Sequence, residues 1–327
     1  MGFYIDMINV GQGDSFLLTL ESSKEDTMYV LIDGGPPSRG DYLVKHLQDI
    51  TPGYIDFVIG THLDSDHIGG LVNVLKNIEV EYVVLNIPSN WDKWLEKRDY
   101  FRKLSEKTIY FGKFADNLSI TEELLNVIEN KRIALIPLFE GEDISHNEDF
   151  LLRVLSPTFE RLEAAWADEV LERAVAEEIL ETAKASPTTP RNDASIILEL
   201  IYKNKPYALF TSDASAGVIK EAIGNTSYEF LKIPHHGSKF GLDEELIKQI
   251  RPKTAYLSVG DNPYGHPATE VLEMLKNVGA KVYCSNRTKY CKRDCKYNGF
   301  GNLCHRKDKD PRPNWKPVDS KKCLYNL

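Results

Sequence analysis

Cysteine is missing from the first 283 residues of this 327-residue chain. All five cysteines, Cys284, Cys291, Cys295, Cys304 and Cys323, fall in the last 44 residues. A disulfide framework for the body of the protein is thereby excluded. No apolar run approaches the ~20 residues that a membrane helix needs. The opening Met1-Gly2-Phe3-Tyr4-Ile5-Asp6 has no basic segment, and Asp6 and Asp14 interrupt the apolar stretch. A secretory signal is not expected, and the cytoplasm is the expected compartment. Repeats at solenoid periods are also absent. Hydrophobic residues at 42% and charged residues at 27% exclude a disordered or fibrous chain. The length fits one large α/β domain or two ordinary ones.

Acidic groups dominate, but unevenly. Residues 281–327 hold 13 Lys/Arg against 4 Asp/Glu, a charge of +9. The first 280 residues hold 27 basic and 45 acidic groups, a charge of −18. Such a polarised chain can present its tail to a polyanion and repel one elsewhere, although a merely solvated tail has the same composition.

Hydrophobic patterning gives alternating strands and helices. Phe3–Val10, Ser15–Leu20, Met28–Ile32 and Tyr54–Gly60 read as strands, with Tyr42–Ile50 and Gly69–Leu75 as helices. After residue 193 the alternation resumes. Ala194–Tyr202, Tyr207–Thr211, Glu229–Ile233 and Thr254–Ser258 read as strands, and Ser215–Ile223, Asp243–Ile250 and Thr269–Val278 as helices. This implies a layered α/β architecture. Residues 88–189 look different. Leu162, Trp166 and Val170 form one apolar stripe, with Leu171, Val175 and Ile179 beside it, in a stretch of eight acids and three bases between residues 160 and 184. The expectation is an acidic helical insertion.

The chemistry concentrates where strands end. In His62-x-Asp64-x-Asp66-His67, four metal-ligand types occur within six residues, directly after an apolar strand. Imidazole and carboxylate together suit Zn²⁺ or Mn²⁺. A second strand ends at Phe210-Thr211-Ser212-Asp213, a third at Ile233-Pro234-His235-His236-Gly237-Ser238. Alone, Asp213 reads as a turn or cap residue. Together the three segments predict one metal-lined sheet edge.

The order of these motifs resembles the metallo-β-lactamase fold, a four-layer αββα sandwich of hydrolases. More closely it resembles the metallo-β-lactamase domain of the DNA-uptake protein ComEC and its stand-alone relatives. The stretches that carry the likeness are Asn9–Ser15, Leu31–Gly35, Thr61–Gly70, Asn192–Leu200, Phe210–Asp213, Pro234–Ser238, Ser258–Gly260 and Tyr264–Pro267. They imply a hydrolase domain over 1–87 and 190–284, a helical insertion over 88–189 and a basic, Cys-rich element over 285–327. The resemblance also implies two divalent ions. His62 and Asp64 would bind the first, Asp66, His67 and one of the paired histidines the second, and Asp213 would bridge them. It favours His236 as ligand and His235 as a contact to substrate or a support behind the ligands. Asp33, and with less support Asp14, would brace the ligands from behind. Asp66 would orient a metal-bridging hydroxide, and His235 or His266 would act on the phosphoryl group or leaving oxygen.

Two departures stand out. Position 64 is Asp where most of the superfamily has His, and no histidine stands in the third motif, whose nearest match is Asn192. His146 lies upstream and reads as a surface residue. The first site is therefore expected to be oxygen-rich and weaker, which suits Mn²⁺.

The tail has its own readings. Cys284, Cys291, Cys295 and Cys304 have ligand-like spacing, and a structural zinc site is the first interpretation, ahead of unbound thiols and then disulfides. Interleaved Lys289, Tyr290, Lys292, Arg293, Lys296 and Tyr297 suit nucleic acid. The favoured activity is metal-dependent phosphodiester hydrolysis on nucleic acid. The alternatives are a phosphorylcholine-esterase-like small-molecule phosphodiesterase or esterase, and a non-catalytic metal-containing binding module.

Overall fold

Alternation of side chains along the strands sets the architecture. In Gly2–Met7 (β1), Phe3, Ile5 and Met7 share one face, and in Phe16–Glu21 (β2) Phe16, Leu18 and Leu20 do the same. Leu17 points the other way, into a separate apolar cluster. Because successive side chains point to opposite faces, a strand that is apolar at every position must be covered on both sides.

The computed structural model describes residues 2–22, 26–104, 109–168, 189–290 and 303–307. Two seven-stranded sheets stack face to face. The first contains β1, β2, Thr27–Ile32 (β3), Tyr54–Gly60 (β4), Glu79–Leu85 (β5) and Ala134–Ile136 (β6). The second contains Asp143–Asn147 (β7), Phe150–Ser156 (β8), Ile197–Tyr202 (β9), Lys205–Phe210 (β10), Phe230–Lys232 (β11), Thr254–Leu257 (β12) and Lys281–Cys284 (β13). Leu303–Lys307 (β14) completes the first sheet, pairing antiparallel with β1. Phe3, Phe150, Tyr202, Tyr207, Phe210 and Phe230 fill the space between the sheets.

Helices cover both outer faces. Gly40–Ile50 (α1), Ser65–Ile68 (α2), Leu71–Asn77 (α3), Trp91–Glu96 (α4), Arg98–Leu104 (α5) and Ile109–Lys131 (α6) belong to the first half. Their apolar cluster runs from Leu43 and Leu71 to Trp94, Phe101 and Phe114. Phe159–Ala165 (α7) and Pro190–Asp193 (α8) follow. Ala216–Ile223 (α9), Glu244–Ile250 (α10) and Thr269–Asn277 (α11) cover the second sheet through Ile219, Leu246, Ile247 and Val271. The molecule is therefore an αββα sandwich of the metallo-β-lactamase type, as the resemblance implies.

Two sequence boundaries shift. Residues 88–189 are not only helical, because they supply β6, β7 and β8 to the two sheets. Phe150, Leu152 and Val154 alternate toward the inter-sheet core, a period-two signal overshadowed in sequence by the acidic helical stretch nearby. Of the two stripes, Leu162 and Trp166 are buried, while Val170, Leu171, Val175 and Ile179 lie outside the described residues. The span 285–327 is likewise not wholly separate, since β14 pairs with the strand that opens the chain.

Strand direction places the site. β3, β4 and β5 run parallel, as do β10, β11 and β12. Loops leaving the carboxyl ends of parallel strands gather at one sheet edge. Asp33 follows β3, His62 follows β4, Asp213 follows β10 and His236 follows β11.

Candidate metal centre

The loop after β4 enters the site through the short helix α2. Its first residue, Thr61, donates through both its backbone N–H (2.8 Å) and its hydroxyl (2.8 Å) to the Asp33 carboxylate. The same carboxylate stands 2.8 Å from His67 Nδ1. One buried acid thus fixes both ends of the loop and turns His67 Nε2 toward Asp213 Oδ2, 3.4 Å away. Glycine is required beside it. Gly13 has φ +138°, and a Cβ there would come within 2.2 Å of the Asp66 carbonyl oxygen.

Asp213 is the hub. Its Oδ2 also lies 3.6 Å from Nε2 of both His235 and His236. His236 Nε2 is 3.4 Å from Asp66 Oδ2, and His62 Nε2 is 3.6 Å from Asp64 Oδ2. Two donors each about 2.1 Å from one tetrahedral ion stand about 3.4 Å apart, so these separations match a shared ion. Ligand atoms of His62, His67 and Asp213 lie within 4.8 Å of one another, as do those of Asp66, His67 and His236. His62, His67 and His236 each keep a buried Nε2 with no hydrogen-bond partner. Buried polar atoms are ordinarily paired, and three converging on one carboxylate fit a bound cation. The mixed imidazole and carboxylate donor set fits Zn²⁺ or Mn²⁺.

Backbone strain marks the same place. Asp33, Ser212, His235 and His236 have φ between +46° and +59°, a region non-glycine residues enter at a cost and mostly at functional sites.

The remaining expected residues divide. Asp64 reaches His62, but one of its oxygens accepts a 2.8 Å hydrogen bond from Asn117 Nδ2, and it joins none of the ligand clusters. His236, not His235, joins them, with its Nδ1 3.0 Å from the Ser258 carbonyl. Asp14, expected behind the ligands, stands 3.5 Å from His236 Nδ1, the ring nitrogen on the far side from the Nε2 that faces Asp66 and Asp213. The side-chain oxygen of Asn192 accepts a 2.6 Å bond from the Thr189 hydroxyl, which engages it in the turn preceding β9. His266 packs its ring 5.4 Å from that of His235. His146 is not a free surface residue. It lies in β7, 3.4 Å from Asp26 and stacked on Phe150, and takes no part in the cluster.

Of the four expected zinc ligands, the structure describes Cys284 and the backbone of Cys304. Cys284 ends β13 fully buried in the aliphatic cluster with Leu257 and Val282. Cys304 lies in β14, opposite Asp6 in register. Cys291 and Cys295 lie outside the described residues, as does Cys323. Next to Cys304, His305 approaches the Tyr207 hydroxyl at 2.9 Å.

Lys232 was not foreseen. It ends β11, is 2% exposed, and pairs with Asp14 while lying 3.6 Å from Asp213 Oδ1. Its Nζ also donates to the Ser212 carbonyl at 2.7 Å. Its signal was present in sequence as a lone cation in the apolar run Phe230-Leu231-Lys232-Ile233.

These neighbours set the charge states. Burial alone would raise the Asp213 pKa, but His235, His67 and His236 outweigh it and hold it well below the usual range. Burial alone would lower His236, but Asp213 and Asp14 raise it to about 10. His67 is raised in the same way by Asp213 and Asp33. His266 goes the other way. Burial, then His235 and His236, push it down to about 3. His235 is also lowered, first by burial. Near neutral pH both rings are thus uncharged. They can donate or accept a hydrogen bond but supply no positive charge.

Comparison with known proteins falls on these residues. Residues 8–85 match the metallo-beta-lactamase superfamily. The chain is 26% identical over 298 residues to ComE operon protein 3 of Bacillus subtilis (strain 168), a match covering 85% of this chain and 31% of that protein. The chain therefore spans less than a third of that relative's length. Two solved structures also align, at low identity. One is a metallo hydrolase from the hyperthermophilic archaeon Ignicoccus hospitalis, with 10% identity, 94% of this chain, 100% of that one and a TM-score of 0.46. The other is a diphosphatase of the PhnP family, with 11% identity, 95% of this chain, 98% of that one and a TM-score of 0.42. The superfamily match covers Asp14, Asp33, His62, Asp64, Asp66 and His67, so the first half of the candidate centre lies in a segment similar to the metallo-beta-lactamase superfamily, within a chain that resembles ComE operon protein 3.

Proposed function

We propose that this chain is a metal-dependent phosphodiesterase whose substrate is nucleic acid. The observation that carries the metal-dependent part is the convergence of His62, His67, His236, Asp66 and Asp213 at one sheet edge, with unpaired imidazole nitrogens. Bound divalent ions would supply Lewis acidity and hydroxide at neutral pH. His62, His67, Asp66, Asp213 and His236 would hold them, with Asp64 as a further oxygen donor.

The chain's own residues do the rest. Asp33 and Thr61 hold the loop and orient His67. Lys232 balances the charge of Asp14 and Asp213, so that two buried acids can stay ionised side by side. His235 and His266, neutral and beside the cluster, are placed to hydrogen-bond a phosphoryl or leaving-group oxygen. The substrate class is supported by the resemblance to a DNA-uptake protein and by the +9 charge over residues 281–327. The −18 charge of the first 280 residues favours the second reading, a phosphodiesterase for small molecules, because it repels a polyanion.

No helix among the described residues is long and apolar enough to cross a membrane. The test is metal content measured together with turnover of bis(p-nitrophenyl) phosphate and of labelled DNA and RNA. Turnover of the small diester without any of nucleic acid promotes the second reading. Metal-loaded protein that hydrolyses no phosphodiester sinks both.

A further inference from the structure

The mouth of the cluster carries a side chain the reaction does not use. Tyr264 is 53% exposed, on the loop that follows β12. It is held out, not left loose. The buried Asn262 accepts from the backbone N–H of Tyr264 (3.0 Å) and of His266 (3.1 Å), and donates to the carbonyls of Gly260 (2.9 Å) and His266 (2.9 Å). One amide therefore fastens the loop on both sides of the tyrosine.

A line of rings runs from Tyr264 into the site. Its ring centre lies 5.9 Å from that of His266, which lies 5.4 Å from that of His235, whose Nε2 is 3.6 Å from Asp213. This is also the open side. The side chains of Asp64, Asp66 and His235 keep 32%, 35% and 24% of their exposure, whereas His67, His236 and Asp213 keep at most 5%.

From the opposite wall comes Lys113 of α6. Its ammonium sits 4.5 Å from the Tyr264 ring centre and contacts the hydroxyl. One helical turn further on, Asn117 binds Asp64 and the Ser65 backbone N–H. Lys113 and Tyr264 thus meet above the mouth from the two halves of the sandwich.

We propose that Tyr264 and Lys113 form the substrate clamp of this site: the ring stacks a base flanking the scissile phosphodiester of a single strand, and the ammonium binds a neighbouring phosphate. This rests on the nucleic-acid reading above and deepens it. An exposed aromatic ring beside a cation is the combination that grips single strands without regard to sequence, since every base has a π-face. A rigid loop loses little entropy when the base docks. Duplex DNA, with its bases stacked on each other, offers the ring nothing.

The experiment compares binding and cleavage of a short labelled oligothymidylate with an abasic strand of equal length. Binding is followed by anisotropy in chelator, so that it does not depend on turnover. Stacking on one aromatic ring contributes about 1–3 kcal/mol per base, so the wild type is expected to hold the base-bearing strand about 5- to 150-fold more tightly. Tyr264→Ala should remove that preference and raise KM on the oligonucleotide, while Tyr264→Phe keeps it. Lys113→Ala should weaken both strands equally and flatten the salt dependence. Turnover of bis(p-nitrophenyl) phosphate reports that the metal site is intact. Cleavage of the oligonucleotide with equal affinity for both strands, or a preference that survives Tyr264→Ala, overturns the clamp and leaves the nuclease reading standing. No binding or cleavage of any strand by the wild type overturns both.

Discussion

The floor and the rim of the metal centre are built on opposite principles. On the floor, Asp14, Asp33, His67, Lys232, Asp213 and His236 are almost completely buried and bound to one another. At the rim, Asp64, Asp66, His235, His266 and Tyr264 retain contact with solvent. Buried charges persist only when paired, so the floor is a closed network in which each member depends on the others. Rim groups are satisfied partly by water and can exchange it for substrate. Removal of a floor residue should therefore cost stability as well as chemistry, and removal of a rim residue chiefly chemistry.

The largest expected effect comes from the hub. Asp213→Ala removes the carboxylate that faces His67, His235 and His236. Hydrolysis is expected to fall by about a thousandfold or more, as when the activated water is lost, and metal content to drop with it. A purified variant with near-wild-type turnover would show that Asp213 is no ligand.

Next is the cation of the floor. Lys232→Met leaves Asp14 and part of Asp213 buried without their partner. Breaking a buried pair by removing one member costs about 3–5 kcal/mol, which denaturant unfolding of the metal-free protein would read. A loss below about 1 kcal/mol, the range of exposed pairs, would place Lys232 outside the network.

The third prediction uses pH. His236, raised to about 10, and His67, also raised, carry protons in the metal-free protein at neutral pH. Their stabilising pairs are fully present below about 6.5, the ordinary histidine pKa. They are lost as pH rises toward 10, so metal-free stability should decline across that window. Metal requires neutral imidazole, so uptake at pH 7 should release protons. Calorimetry in two buffers of different ionisation enthalpy measures this directly. Uptake without proton release would mean that the floor is already neutral.

The smallest effects belong to the rim. Asn117→Ala frees one oxygen of Asp64 at a cost of about 1 kcal/mol, the usual worth of one hydrogen bond. It should weaken an ion proposed to bind at His62 and Asp64 while sparing one proposed to bind at Asp66, His67 and His236. Stepwise chelation of the wild type should likewise release one ion before the other. Two ions leaving together at one chelator concentration would contradict the inequality.

Much of this was legible in sequence because ligands follow strands. The strand read over Tyr54–Gly60 matches β4 to the residue, and the helix over Thr269–Val278 matches α11 to one. The four-residue motif after β4 and the paired histidines after β11 announced themselves by type and spacing. Lys232 did not, because one lysine at a strand end usually snorkels to water. Asp14 is a lone acid beside Gly13 in sequence, and only its contact with Lys232 and His236 gives it a place in the floor. Strands β6 to β8 were hidden among acidic helical segments, and β14 lay in a tail whose composition spoke of charge and cysteine.

The sequence by itself determined which elements form and which donor atoms exist, since both follow from local periodicity and residue chemistry. Tertiary structure decided which donors meet. Ser258 binds the carbonyl of Gly13 across 245 positions, and His236 meets Asp14 across a similar span. Lys113 and Tyr264 reach each other across 151. Contacts at such separations carry no local pattern. They arise only when two sheets, each apolar on both faces, stack to bury those faces and so bring their carboxyl edges together.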